Sequence, residues 1–280
     1  MSIAGRLAAA AAILAGACSH SQRAGAETAL AKLLVSDRQE KQLGLQVKQE
    51  LEQQQHVRYV QDPQVVAFVK GITDRILPLA QNDRPDVQWN VSVIDDPKTV
   101  NAFATPGGYL YVYSGLLLAA DEPSEVAGVL SHEAGHVVAR HSARQMVDAY
   151  GLEAVTALAL GKNPGLASQI ASGIGAKGLM LANSRGDETE ADEYGARYAS
   201  AAGYDPNGLI SFFQKLQQQE GKTSQLMTFL SDHPATPDRI AHLREYIAAH
   251  HLAGSGGRDP DGLPAIKPRL GGAGPAPGGR

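Results

Sequence analysis

His132-Glu133-Ala134-Gly135-His136 constrains this chain more than any other stretch. The pattern is H-E-x-x-H, and it makes chemical sense on a helix, where residues four apart leave one face a single turn apart. Two imidazoles so placed reach one zinc ion, each nitrogen about 2.1 Å from it. Glu133 stands beside a ligand position but out of line with it, which is the place of a general base toward water at the metal. The flanking sequence supplies the helix. Glu122 and Pro123 suit a first turn, Asp121 or Ser124 can cap it, and Val126, Val129, Leu130, Val137 and Val138 recur at helical spacing. The competing reading is a buried helix with two hydrogen-bonded core histidines. It loses weight to a second cluster of carboxylates downstream.

Two histidines do not complete a zinc site; a third ligand is needed, and water fills the remaining place in a catalytic one. The best source is Asn183-Ser184-Arg185-Gly186-Asp187-Glu188-Thr189-Glu190-Ala191-Asp192. On a helix Glu188 and Asp192 share a face and Glu190 points roughly the other way. Glu188 is the candidate third ligand, with Glu190 as the alternative. Asp192, one turn on, is placed to accept the remaining N–H of His132 or His136, because a metal-bound histidine usually donates that proton to a carboxylate. Taken alone, the acidic run would read as a solvated helix start favoured by the dipole. Coupled to H-E-x-x-H, it reads as part of the site. His141, one turn past His136, is expected to support the fold or the ligands and not to bind the metal itself.

The first 18 residues read as a targeting segment. Arg6 supplies the positive charge and Leu7 to Ala17 form an apolar run too short to span a bilayer. Cys18, the sole cysteine, follows Leu14-Ala15-Gly16-Ala17, which resembles a bacterial lipobox whose cysteine becomes the lipidated first residue. Ala15-Gly16-Ala17 also fits an ordinary A-x-A cleavage site. The expectation is a periplasmic protein held at the outer membrane through lipidated Cys18, with a soluble periplasmic protein as the alternative. A formal net charge of −4 without a basic face argues against a nucleic-acid partner.

Residues 19–60 read as a tether followed by an N-terminal helix broken near Gly44, and residues 61–250 as the catalytic domain. Within it a helix starts at Asp62-Pro63 and runs to about Leu77. Val87, Trp89, Val91 and Val93 alternate as a strand, and Val100 to Tyr113 form two strands around Pro106-Gly107-Gly108. These three strands make a small antiparallel sheet, one edge of which could take an extended peptide by strand addition. Helices follow the metal helix, with a break at Gly151, a small-residue helix or flap over Pro164–Ala182, and further helices over Pro206–Gln219, Leu226–Leu230 and Thr236–His250. Residues 251–280 are rich in Gly and Pro and are expected to be disordered.

Several scattered motifs fit one family together. They are Asn101-Ala102-Phe103-Ala104 with Pro106-Gly107-Gly108, Ser114-Gly115-Leu116-Leu117, Glu125 with Gly128 to His136, Arg140-His141, Ser184-Arg185, Glu188 to Asp192, and His233-Pro234 with Asp238-Arg239-Ile240. In this combination the chain resembles the HtpX and CAAX-prenyl-protease family of zinc metalloproteases, peptidase family M-48, and its soluble periplasmic branch, over roughly residues 60–250. The resemblance implies an α+β, mostly helical, zincin-type (gluzincin) domain holding one zinc ion on His132, His136 and Glu188, the last being the Glu of an E-x-x-x-D motif. It implies an endopeptidase with Glu133 as base, acting on misfolded or misassembled envelope proteins. The donor that would help zinc stabilise the oxyanion stays open among His233, Arg239, Arg185 and Tyr194. His233, in a loop stiffened by Pro234, could instead reach the zinc and shut the site. The alternatives are a non-proteolytic or self-inhibited periplasmic chaperone or adaptor on the same fold, which intact Glu133 argues against, and a helical envelope protein with fortuitous motifs.

Overall fold

The computed structural model describes residues 35–53, 55–177, 183–219, 227–254 and 262–270. The expected targeting segment with Cys18 lies outside the described residues, as does the tether up to residue 34. The described chain begins with helices α1 (Asp37–Gln53) and α2 (Pro63–Asp83). Strands β1 (Asn90–Ile94), β2 (Ala102–Thr105) and β3 (Tyr109–Tyr113) follow. Next come helices α3 (Ser114–Ala119), α4 (Pro123–Val138), α5 (His141–Tyr150), α6 (Leu152–Ala159) and α7 (Pro164–Lys177). The rest are α8 (Arg185–Ala201), α9 (Gly208–Gln219), α10 (Met227–Asp232), α11 (Pro237–Ala249) and α12 (Gly262–Leu270). The chain is mostly helical around one small three-stranded sheet.

The sheet is mixed, not wholly antiparallel. Its order is β1-β3-β2. β2 and β3 form the expected hairpin, with Ala102 opposite Val112 and Thr105 opposite Tyr109, but β1 runs parallel to β3, with Asn90 beside Tyr109 and Ile94 beside Tyr113. A parallel pair needs a long crossover. Here the crossover contains β2 itself, which lands one place further out and returns β3 into the gap. Sequence alternation marks the strands but not which neighbours they choose. Residues 58–60, expected as the end of a helix, are extended along the outer edge of β1. Val60 N donates to Val93 O at 2.9 Å and Asp95 N to Arg58 O at 2.8 Å.

Period two sorts the sheet into two faces. Ala102, Ala104, Leu110 and Val112 face one core with residues of α2, α4, α8, α9, α11 and α12. Phe103, Tyr109, Tyr111 and Tyr113 face a second core with Leu43, Val47 and Leu51 of α1, Met146 of α5, and residues of α6 and α7. The aromatic face stacks internally, Phe103 on Tyr111 at 4.6 Å between ring centres. Helices therefore cover both faces, and β2 presents its free edge to α4.

Three further differences have local causes. α1 runs through Gly44 without a break; a Cβ there would collide with the Pro106 carbonyl oxygen and the Tyr109 ring, so the glycine marks a close approach and not a turn. α2 continues past Pro78 to Asp83. Pro78 is on the exposed side, while Ile72, Ile76 and Ala80 keep the buried stripe in phase. In the tail expected to be disordered, α12 is a docked helix. Leu263, Ile266 and Leu270 are buried against the first core, and Arg269 pairs with Asp62 at 2.8 Å. Those three positions keep helical spacing inside a Gly/Pro-rich composition, which composition alone hides.

Candidate active site

α4 is buried from end to end. Pro123 occupies its first turn, and Glu122 stands at the cap position without a side-chain bond, so neither Asp121 nor Ser124 caps it. Glu125 instead ties the helix start down: its carboxylate accepts from Asp121 N at 2.7 Å and from Ser211 Oγ at 3.1 Å, and pairs with Lys215. At its centre α4 packs closely on α8, where a Cβ on Gly135 would sit 2.8 Å from Tyr194 Cβ. That approach brings the first turn of α8 over the two histidines. The turn is fixed by a capping box, Asp187 N donating to Ser184 Oγ at 3.2 Å and Ser184 N to Asp187 Oδ2 at 3.1 Å.

Four side chains converge: His132 and His136 of α4, Glu188 of α8, and His233 just after α10. All are buried. His132 Nε2 is 3.0 Å from His136 Nε2, 3.2 Å from His233 Nδ1 and 3.5 Å from Glu188 Oε2. Glu188 Oε1 is 3.4 Å from His136 Nε2 and 3.1 Å from His233 Nδ1. Tetrahedral donors about 2.0–2.1 Å from one zinc ion stand about 3.3–3.4 Å from one another. The separations and the donor chemistry, imidazole nitrogen with one carboxylate, therefore fit a single zinc ion. Glu190, the alternative ligand, is not in this group; its Oε2 lies 3.2 Å from His141 Nε2.

The four groups act on one another's protonation. Burial, only partly opposed by a bond from Glu188, pushes His136 down to about 3 and keeps its ring neutral, as a ligand must be. Burial also acts against a charged His132, but Asp192 and Glu188 outweigh it and hold that ring above its ordinary value. Burial opposes the Glu188 carboxylate, yet His233 and the bonds from all three histidines hold it well below the usual range. Three histidines beside one fixed carboxylate are an arrangement that a cation in their midst would stabilise.

Glu133 lies beside this group and is itself buried. The Ala104 N–H at the free edge of β2 bonds to its carboxylate. Its Oε1 takes no hydrogen bond and sits 3.4 Å from His233 Nε2. Burial pushes its carboxyl up to about 8; His233 opposes the shift, while Glu188 and Asp232 add to it. Ala104 O accepts from Ser142 Oγ at 3.3 Å, so both outward backbone groups of this residue are turned toward α4 and α5.

The remaining candidates separate. Asp192 Oδ1 is 2.9 Å from His132 Nδ1. Arg239 holds the same carboxylate with two bonds of 2.7 Å, and reaches Glu188 Oε2 at 2.7 Å and Pro234 O at 2.9 Å. Its guanidinium is thus shared between two carboxylates and the backbone just after His233. Arg185 is exposed at the start of α8, and Tyr194 lies against Tyr198 and Arg197; neither joins the four donors. Sequence reasoning missed one contact, Asn101 Nδ2 to Asp232 Oδ2 at 2.9 Å, which ties the start of β2 to the residue before His233. The two are 131 positions apart, and only the neighbourhood of His233 hinted that Asp232 mattered.

A helix with H-E-x-x-H, a carboxylate from a second helix, and an edge strand beside the intervening Glu define a zincin-type metallopeptidase. Residues 63–247 match the sequence pattern of peptidase family M48, a zinc-dependent metalloprotease family. The chain belongs to that family. It is 34% identical over 180 residues to the mitochondrial metalloendopeptidase OMA1 of Schizosaccharomyces pombe, covering 64% of this chain and 52% of that one. Against the metalloprotease LoiP of Escherichia coli it is 33% identical over 220 residues, 77% and 83% of the two chains. Against the beta-barrel assembly-enhancing protease of Escherichia coli it is 28% identical over 194 residues, 66% and 39% of the two chains. The chain thus spans about half the length of the first of these relatives and less of the last.

Proposed function

We propose that this chain is a zinc endopeptidase of the bacterial cell envelope that degrades misfolded or misassembled envelope proteins. The carrying observation is the buried carboxylate of Glu133, with a free acceptor oxygen, beside four donors spaced for one zinc ion. The envelope setting is supported by the relative named for beta-barrel assembly and by the lipobox-like run ending at Cys18, which would hold the chain to the outer membrane by a lipid. Among the described residues no helix is long and apolar enough to cross a membrane.

In this reading His132, His136 and Glu188 hold the zinc. The ion supplies Lewis-acid activation of water and of the peptide carbonyl. Glu133 takes the proton of the attacking water on its free oxygen and passes it to the leaving amine. Asp192 and Arg239 keep His132 and Glu188 in place. To test it, bound zinc and casein cleavage are measured for wild type and Glu188→Gln. Wild type is expected to carry one zinc and to cleave. Glu188→Gln, losing a charged ligand, should bind zinc more weakly by more than the 10–100-fold that loss of an outer partner costs. Unchanged zinc binding in that variant would remove Glu188 from the ligand set.

A second state is favoured by His233, whose Nδ1 occupies the fourth donor position. Were His233 to hold the ion together with His132, His136 and Glu188, the four donors would leave no place for water and the enzyme would be shut. If the open state holds about 10% or less of the molecules, His233→Ala should raise casein cleavage about tenfold or more. A fall in rate at unchanged zinc content would assign His233 to the oxyanion instead.

A further inference from the structure

The two histidines of the H-E-x-x-H helix are backed differently. His132 Nδ1 faces the Asp192 carboxylate at 2.9 Å. His136 Nδ1 faces another imidazole, Nδ1 of His141, at 2.8 Å. That ring is fully buried and stands edge-on to His136, the planes 72° apart. Chain geometry brings it there. α4 ends at Val138, and Arg140, at φ 64°, turns the backbone so that α5 starts at His141 and folds back on the ring five residues earlier. On its other side His141 Nε2 is 3.2 Å from Glu190 Oε2 and 3.7 Å from Asp187 Oδ1. Asp187 is in turn paired with Arg144 and held in the capping box.

Proton bookkeeping gives this chain of contacts a direction. A neutral imidazole has one N–H and one lone pair. His136 Nε2 points at the other three donors, so a metal there takes that lone pair and leaves the proton on Nδ1. His141 Nδ1 must then accept it, which puts the proton of His141 on Nε2, facing Glu190. The reverse order would aim an N–H of His136 into the donor cluster and strand a carboxylate opposite a lone pair. The terminal carboxylate thus sets both tautomers.

We propose that His141 and Glu190 are positioning residues that fix His136 as a zinc ligand, passing through the His141 ring the kind of carboxylate contact that His132 has with Asp192 at 2.9 Å. The proposal rests on the zinc reading of the site. Glu190, which the acidic run offered as a possible ligand, acts one residue removed from the metal.

The test measures the zinc dissociation constant of the full chain by competition with a chelator, alongside the melting temperature of the zinc-free chain. His141→Ala should weaken zinc binding by about 10–100-fold, the usual effect of losing such a partner. His141→Asn places an amide oxygen near the lost Nδ1 and should recover most of the affinity. Glu190→Gln keeps an acceptor but loses the charge, and should fall between wild type and His141→Ala. Glu190 is only partly buried, so this variant keeps the test open should His141→Ala fail to fold. A merely structural His141 would lower the zinc-free melting temperature equally in both His141 variants and leave affinity unchanged; that result overturns the proposal. So does wild-type affinity in Glu190→Gln and His141→Ala together. A wild-type chain that binds no zinc would instead overturn the zinc reading, and the relay with it.

Discussion

Glu133→Gln is expected to lower peptide-bond cleavage by about 10²–10⁴-fold while zinc stays bound at one per chain. The substitution changes little else. Gln has the size of Glu, and its amide oxygen can still accept the Ala104 N–H. None of the four side chains grouped to hold a metal is altered. What is lost is the ability to take a proton and return it. Burial holds the Glu133 carboxyl up to about 8, well above an exposed Glu. Burial favours its neutral form and a zinc ion beside it would favour the charged one, so the group is placed both to take a proton and to return it. The measurement is the initial rate on casein with zinc quantified in the same samples. Two results would sink the assignment. Cleavage within tenfold of wild type would move the base elsewhere. Loss of zinc from the variant would mean that Glu133 supports the metal, so that any fall in rate says nothing about proton transfer.

How much of this was legible in the sequence follows from the range of each interaction. The His132–Glu133–His136 arrangement is local, since helical periodicity alone puts the rings on one face. Glu188 against Glu190 is also a matter of helical phase, and the structure turns the first to the donors and the second to His141. Two patterns were misread because their meaning depends on a distant partner. Gly44 looks like a break until the Pro106–Tyr109 hairpin is laid against it. β1 alternates like an antiparallel strand, and nothing within it says that β3 will lie parallel beside it. Composition misled in the tail, where three apolar residues at helical spacing outweigh the surrounding glycines and prolines. Arg185 and Tyr194 were drawn into the site by proximity in sequence to Glu188, but a helix disperses near neighbours around its axis. The largest omission lies in α1. Nothing in its Gln-, Lys- and Glu-rich run singles out one acidic residue, yet one of its carboxylates is buried.

That carboxylate is Glu40, 1% exposed, and its replacement by Ala is expected to destabilise the chain by about 3–5 kcal/mol. Glu40 lies between two buried arginines. Arg84, at the end of α2, pairs with Oε2, and Arg140, in the left-handed turn after α4, pairs with Oε1. The same arginines reach back to the backbone: Arg84 to Val137 O at the end of α4, and Arg140 to Val35 O at 2.9 Å. Asp37 adds a second carboxylate at 2.9 and 3.0 Å, but it is half exposed and screened by solvent. Removing Glu40 therefore leaves two guanidinium groups in a dry site with one solvated counter-charge, a worse state than having no ion cluster at all. At about 2–4 °C per kcal/mol for a chain of this size, the melting temperature should fall by roughly 10 °C. The cluster lies at the C-terminal end of the metal helix, between His136 and His141, and α1 lies outside the stretch that matches the family. A shift of 2 °C or less would mean that α1 is docked by Leu43, Val47 and Leu51 alone. The larger shift would make α1 part of the catalytic fold, joined to the helix of His132 and His136 through one buried carboxylate.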